Sequence, residues 1–264
     1  MALNYIYICL AKFLVLLLTL IGCTDVTVNS VSGAKILFIP ANVNSHVIFF
    51  SRLAADLTQL GHVTQVLAPS NARVPHFVAA EAESGGNFSY TTYAVDGDEP
   101  FANSQHFSET LTRLALLRSA WQKFSTIYGL INDLYKHHES DCVRLLENVH
   151  LMRQIRDGGF QFAVMNPTIP QCYLAIPYSM GIRYASMSIS ALAWAYRVPR
   201  LPSFASTFGL GYTDQMTLVQ RLTTLVSETL LMFYMHNDTT AYVKRLAPDR
   251  PSLTYIQLIQ KVYS

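Results

Sequence analysis

Histidine is the side chain best suited to proton transfer near neutral pH, and of the 8 in this 264-residue chain His46 has the most telling setting. It closes the run Lys35-Ile-Leu-Phe-Ile-Pro-Ala-Asn-Val-Asn-Ser-His46. Residues 35–40 read as a short buried strand, because a continuous apolar run ended by Pro suits a parallel sheet covered on both faces. Residues 41–45 form a mostly polar loop. Residues 47–60 read as a helix, with Phe49, Leu53, Leu57 and Leu60 at helical spacing and Gly61 placed to stop it. His46 is thereby set where a first strand hands over to a first helix, the edge at which open α/β sheets bind ligands. The chemistry on offer there is general-base catalysis. A lone histidine at such a junction is more often a cap or a surface residue, so position by itself does not assign the role.

The other histidines lack that placement. His62 opens the next strand, His76, His137, His138 and His150 fall on helical stretches, His106 lies in a loop, and His236 precedes a sequon. No pair has the HExxH spacing, and none clusters with cysteine as a zinc site requires. Neither a metal nor a bound cofactor is expected.

The elements that must position His46 alternate. Strands are expected at residues 35–40, 62–67, 88–94, 160–165 and 182–188. Helices are expected at 47–60, 74–83, 107 to about 137, 141–157, 171–180, 214–235 and 253–263, with Pro177 inside one of them and a loop-like stretch at 197–213. Strands alternating with helices imply right-handed crossovers and an α/β fold with a Rossmann-like, mostly parallel sheet.

Composition narrows the partners. Lys and Arg total 19 against 17 Asp and Glu, a net charge of +2 with no basic cluster, which argues against nucleic acid. Residues 1–23 read as a secretory signal peptide, in which Lys12 precedes an apolar core at 13–22 that is short for a membrane span. Cleavage leaves 24–264 as the mature domain, and an uncleaved leader would be a route to membrane association. Either outcome directs the chain to the endoplasmic reticulum, its lumen or membrane, or to secretion. In that pathway Asn87-Phe-Ser89 and Asn237-Asp-Thr239 become candidate glycosylation sites, and Asn87 follows Gly85-Gly86 in a loop. Cys142 and Cys172 lie clear of the leader. Sequence leaves open whether they pair.

Several segments together resemble a known family. These are the strand-loop-Ser45-His46 opening, LTQLGHVTQVLAPS at 57–70, CVRLLENVHLMRQIRDGGFQFAVMNP at 142–167 and YTDQMTLVQRL at 212–222. In order and spacing they are similar to the animal UDP-glycosyltransferases, the UDP-glucuronosyltransferase group. The resemblance implies a GT-B fold of two Rossmann-like domains, of which this sequence matches the N-terminal, acceptor-binding one. It implies a UDP-sugar as co-substrate, a small lipophilic hydroxyl compound as acceptor, and a C-terminal donor domain as the missing partner. That domain's Trp-x-Pro-Gln and His-Gly-Gly stretches do not occur here. The resemblance also implies that His46 deprotonates the acceptor hydroxyl, and that the carboxylate which steadies this histidine in the family falls at Asn166. Here the residue is an amide, which cannot neutralise an imidazolium, and Asn-Pro is also an ordinary turn opening.

Two expectations follow: the acceptor half of a transferase, inactive alone, or a non-catalytic binding module of the same fold. The resemblance also implies that acceptor choice resides in residues 95 to about 138, where Phe101, Phe107, Leu111, Leu114 and Trp121 could line an apolar cleft or serve as ordinary core.

Overall fold

A computed structural model describes residues 33–72, 85–166, 171–187, 215–234, 240–254 and 257–258. The expected signal peptide, the helix at 74–83, the loop at 197–213, Asn237, and all but a few residues of the helix at 253–263 lie outside the described residues.

All five expected strands form: β1 (Lys35–Ile39), β2 (Val63–Pro69), β3 (Phe88–Tyr93), β4 (Phe162–Met165) and β5 (Arg183–Ser186). They make one parallel sheet in the order β3-β2-β1-β4-β5, so the sheet is Rossmann-like and flanked by helices, as expected. β1 lies at its centre. Ile36 pairs with Thr64 on one side and Phe162 on the other, and Ile39 pairs with Met165. The first strand turns one way in the sheet and the fourth the other, so the ends of β1 and β4 flank the topological switch point where such sheets bind ligands.

The apolar run of β1 is buried on both faces. Phe38 meets Phe50 of helix α1 (Asn44–Gln59) edge-on at 6.4 Å. Leu37 and Ile39 face the opposite side and join the main core. That core also takes in Leu145 of α3 (Ala120–Glu147), Leu151 and Ile155 of α4 (Val149–Asp157), and Tyr173 to Ile176 of α5 (Gln171–Met180). Helix α2 (Gln105–Leu116) packs on α3 through a small separate cluster of Leu114 and Ile127. Helices α6 (Leu218–Tyr234) and α7 (Thr240–Leu246) complete the described elements.

Several boundaries differ from expectation. The helix expected from 107 to about 137 is broken at 117–119 into α2 and α3, the helix expected from 214 starts at Leu218, and α7 is not among those expected. Three further differences bear on the site. Helix α1 starts at Asn44, so His46 lies in its first turn, and its buried stripe is Val47, Phe50, Ala54 and Leu57, with Leu60 exposed. His106 lies within α2 and not in a loop. The helical break falls at Asn148 and not ahead of Asp141, so one 28-residue helix carries His137, His138 and Asp141 together. Caps decide the starts of α2, α3 and α4, while α1 starts with no side-chain cap. The Ser104 hydroxyl accepts from Phe107 N at 3.2 Å, Ser119 from Gln122 N at 3.5 Å, and Asn148 Oδ1 from Leu151 N at 3.0 Å, each satisfying an orphan amide of a first turn.

Cys142 of α3 and Cys172 of α5 form a disulfide with a Cα–Cα distance of 6.1 Å, which answers the pairing left open by the sequence. Asn87 sits exposed in the turn that enters β3. Among the described residues, no helix is long and apolar enough to cross a membrane.

Candidate active site

The site begins with two chain segments leaving the sheet. β1 ends at Ile39 and the chain turns through Pro40 to Val43, where Val43 O accepts from His46 N at 2.9 Å and from Val47 N at 3.0 Å. These bonds start α1 and fix His46 one turn from the strand end. β4 ends at Met165, and Asn166 N donates to Ile39 O at 3.2 Å, extending the β1–β4 ladder by one residue. Two adjacent parallel strands therefore deliver His46 and Asn166 to the same edge.

Their side chains meet. Asn166 Nδ2 lies 2.5 Å from His46 Nδ1. Asn166 is fully buried, and His46 is half-buried. Burial lowers the His46 pKa, because desolvation disfavours the imidazolium. The positive end of α1 acts in the same direction. The ring is neutral at neutral pH and so has one nitrogen lone pair to give.

Which nitrogen carries that lone pair depends on the amide. With Nδ2 donating to Nδ1, the ring proton sits on Nε2 and Nε2 cannot accept. Reversed about its last bond, the same amide offers Oδ1 to an Nδ1–H and frees the Nε2 lone pair for a substrate hydroxyl. A carboxylate could only accept, and would hold the second tautomer alone. An amide fits either.

A second polar pair stands on the same edge. Asn42 Nδ2 donates to Asp141 Oδ2 of α3 at 2.7 Å, with both residues buried. Burial raises the Asp141 pKa; the Asn42 bond and His137 work against that, Asp96 with it, and Arg144 against it. His138, one turn earlier on α3, is 3% exposed and its pKa is lowered to about 3, first by burial and then by the charges of His46 and His137. Tyr93 and Tyr173 share a hydroxyl–hydroxyl bond of 2.9 Å deeper in the core.

Sequence reading missed Asn42, His138 and Asp141. A signal was present: His138, Asp141, Cys142 and Leu145 recur at helical spacing, so Asp141 is a charge set on an apolar stripe. The expected apolar lining divides. Phe101, in a 3₁₀ turn at Phe101–Asn103, stacks on His137 at 4.4 Å and touches Phe107 at 5.9 Å. Asn103 Oδ1 of that turn accepts from Asn44 N at 3.4 Å, at the start of α1. Leu111 and Leu114 are packing between α2 and α3, while Trp121 is 73% exposed and stacks on Phe124.

Residues 34–251 match the UDP-glucoronosyl and UDP-glucosyl transferase family, which is most of the chain. The chain belongs to this family. It is 24% identical over 220 residues to UDP-glucuronosyltransferase 1A5 of Rattus norvegicus, covering 80% of this chain and 38% of that protein. It is 22% identical over 206 residues to UDP-glucuronosyltransferase 2A3 of Cavia porcellus, covering 76% and 38%. The chain thus spans less than half the length of these curated relatives. Among solved structures, spinosyn forosaminyltransferase SpnP aligns with a TM-score of 0.40 at 16% identity over 84% of this chain and 44% of that one. Phytolacca americana UGT2, complexed with UDP-2fluoro-glucose and pterostilbene, aligns with a TM-score of 0.40 at 13% identity over 83% and 47%.

Proposed function

We propose that this glycosyltransferase-family chain supplies the acceptor-binding, base-bearing half of a UDP-sugar transferase, an N-terminal GT-B domain that acts on a small lipophilic hydroxyl compound. The observation that carries the reading is the contact between His46 and Asn166 where β1 and β4 end. In the proposed step Nε2 of a neutral His46 takes the acceptor's hydroxyl proton as the oxygen attacks the anomeric carbon and UDP departs with inversion. Asn166 steadies the ring through Nδ1 but leaves the imidazolium charge uncompensated, so the base is weak.

The donor is proposed to be held outside these residues. The β1–α1 connection, Pro40-Ala-Asn-Val43, has no glycine to let backbone amides close on a diphosphate. Alone, the chain then has no transferase turnover, binds phenols or aliphatic alcohols weakly, and binds UDP-glucose or UDP-glucuronate not at all. Calorimetric titration tests this, and saturable UDP-sugar binding by residues 24–264 would overturn it. Asn166 also favours a second reading, a non-catalytic binding module. Fusion to a relative's donor half decides between them: turnover that depends on His46 supports the enzyme, and binding of the phenol with no turnover supports the module.

The proposed location is the endoplasmic reticulum or the secretory path beyond it, through the leader at 1–23, with glycans at Asn87 and Asn237. The exposed turn around Asn87 gives a transferase access to that side chain. A glycosidase-sensitive mass shift that is lost in Asn87→Gln and Asn237→Gln would support the assignment.

A further inference from the structure

Residues 137–142 of α3, His-His-Glu-Ser-Asp-Cys, are tied to the connection that leads to His46 and to the first described helix after Asn166, without belonging to the His46–Asn166 pair. Asp141 holds Asn42, in the connection that leads from β1 into the first turn of α1, where His46 lies. The next residue, Cys142, is bonded to Cys172 at the start of α5, the first described helix after Asn166. On the preceding turn His137 stacks on Phe101, whose turn contacts the first residue of α1 through Asn103. One and a half turns of helix thus bracket the base from the loop side and from the strand side.

The carboxylate is the unexpected member of this bracket. It is buried on an apolar stripe and its hydrogen-bond partner is a neutral amide, so desolvation is not offset by a cationic partner in contact. A leucine would pack between His138 and Leu145 without that cost. What the carboxylate adds is a directional, charge-assisted bond to the connection that leads into the base's helical turn. It also fixes the Asn42 amide. Because a carboxylate only accepts, Nδ2 must face it, and Oδ1 is left buried with no hydrogen-bond partner.

We propose that Asp141 is a positioning residue for His46, acting through Asn42 to hold the β1–α1 connection so that the imidazole keeps Nδ1 on Asn166. The inference rests on the reading of His46 as the base, but its test does not need turnover. Long-range ¹H–¹⁵N spectra of the ¹⁵N-labelled full chain, at a pH where the ring is neutral, report which His46 nitrogen carries the proton. Wild type shows a single tautomer. Asp141→Leu converts it to a mixture, with the dominant form falling from nearly all to roughly half as the ring loses its fixed partner. Asp141→Asn still accepts from Asn42 through its own amide oxygen and restores the single tautomer. Asn42→Ala breaks the same bond from the loop side, repeats the Asp141→Leu result, and serves if that variant does not fold.

A single tautomer in both Asn42→Ala and Asp141→Leu, or in Asn42→Ala alone where Asp141→Leu does not fold, overturns the positioning role and leaves the His46–Asn166 pair standing. A mixture in Asp141→Asn also overturns it, since the bond to Asn42 is kept there. A mixture already present in wild type overturns the positioning role and leaves the pair standing, since the amide fits either tautomer.

Discussion

Two pairs at one sheet edge differ in where the charge sits. His46–Asn166 joins a half-buried titratable ring to a fully buried amide, and Asn42–Asp141 joins a fully buried amide to a buried carboxylate. In the second pair the amide Nδ2 donates; in the first, Nδ2 stands against Nδ1 and the donor depends on the ring tautomer. In the second the carboxylate dictates that orientation; in the first the ring permits either one. The pair nearer the proposed chemistry is therefore the less constrained, and the pair set back from it is the more rigid. A carboxylate moved from position 141 to 166 would exchange those characters. The edge as built favours a fixed loop over a strong base.

The largest effect is expected from supplying the missing charge. In a fusion carrying a relative's donor half, Asn166→Asp should raise kcat by up to about 10³–10⁴, by analogy with the loss of about 10⁴ on the reverse change in a serine-protease triad. The variant also locks the Nδ1–H tautomer and raises the His46 pKa, which an NMR titration reads. A kcat within about threefold of the parent, with the pKa raised, would separate the two properties and break the comparison at its first term.

Next in size is Asn42→Ala. It leaves the Asp141 carboxylate buried with no donor, and hydrogen bonds to charged groups contribute about 1.5–3 kcal/mol each. Urea unfolding should show a loss of about that size, falling to under about 1 kcal/mol when Asp141→Leu is made in the same chain, since an apolar pair removes the orphan. Additive losses in the double variant would mean that the pair does not interact as drawn.

Acid brings out the histidine behind both pairs. The folded pKa of His138, about 3, lies below its ordinary value of 6.5. The unfolded chain then binds a proton that the folded chain refuses. Its contribution is fully present above pH 6.5 and is lost as pH falls from there toward 3, at no more than about 1.4 kcal/mol per pH unit. Burial shifts His46 and His62 in the same direction. The raised Asp141 has the opposite sign and favours the folded state as pH falls through its window toward 3.8. Stability measured at pH 7.5, 6 and 5 should fall, and His138→Phe should flatten the slope. An unchanged slope would show that His138 is not the group taking up the proton.

How much of this was legible follows from range. All five strands could be read because each is a short apolar or β-branched run whose burial is set locally, and β1 with its histidine announces the sheet edge without help. The family resemblance put Asn166 opposite His46, and the edge geometry brings the two together. Helix ends were less legible because one polar cap decides them: Asn148, not the charges around Asp141, ends the long helix. The Asn42–Asp141 pair was not legible at all. Its members lie 99 residues apart, and only the packing of α3 across the strand ends joins them. Asp141 could have been suspected as a charge on an apolar stripe, but nothing in Asn42 names its partner.

The smallest effect should come from Asn166→Ala. The amide is fully buried, which taken alone would suggest a loss as large as at Asn42. The two losses differ because the partners differ. Removing Asn42 strands a carboxylate that is 5% exposed, whereas removing Asn166 strands a neutral ring that is already half open to water and can take a solvent hydrogen bond in exchange. A neutral bond that water can replace is worth about 1 kcal/mol. Asn166→Ala should therefore cost about 1 kcal/mol in urea unfolding, less than Asn42→Ala, while His46 becomes a tautomer mixture and its pKa moves back toward the ordinary value as water reaches the ring. A loss equal to or above that of Asn42→Ala would mean that the His46–Asn166 contact is held in a drier and more constrained setting than its partner, and the contrast between the two pairs would reverse.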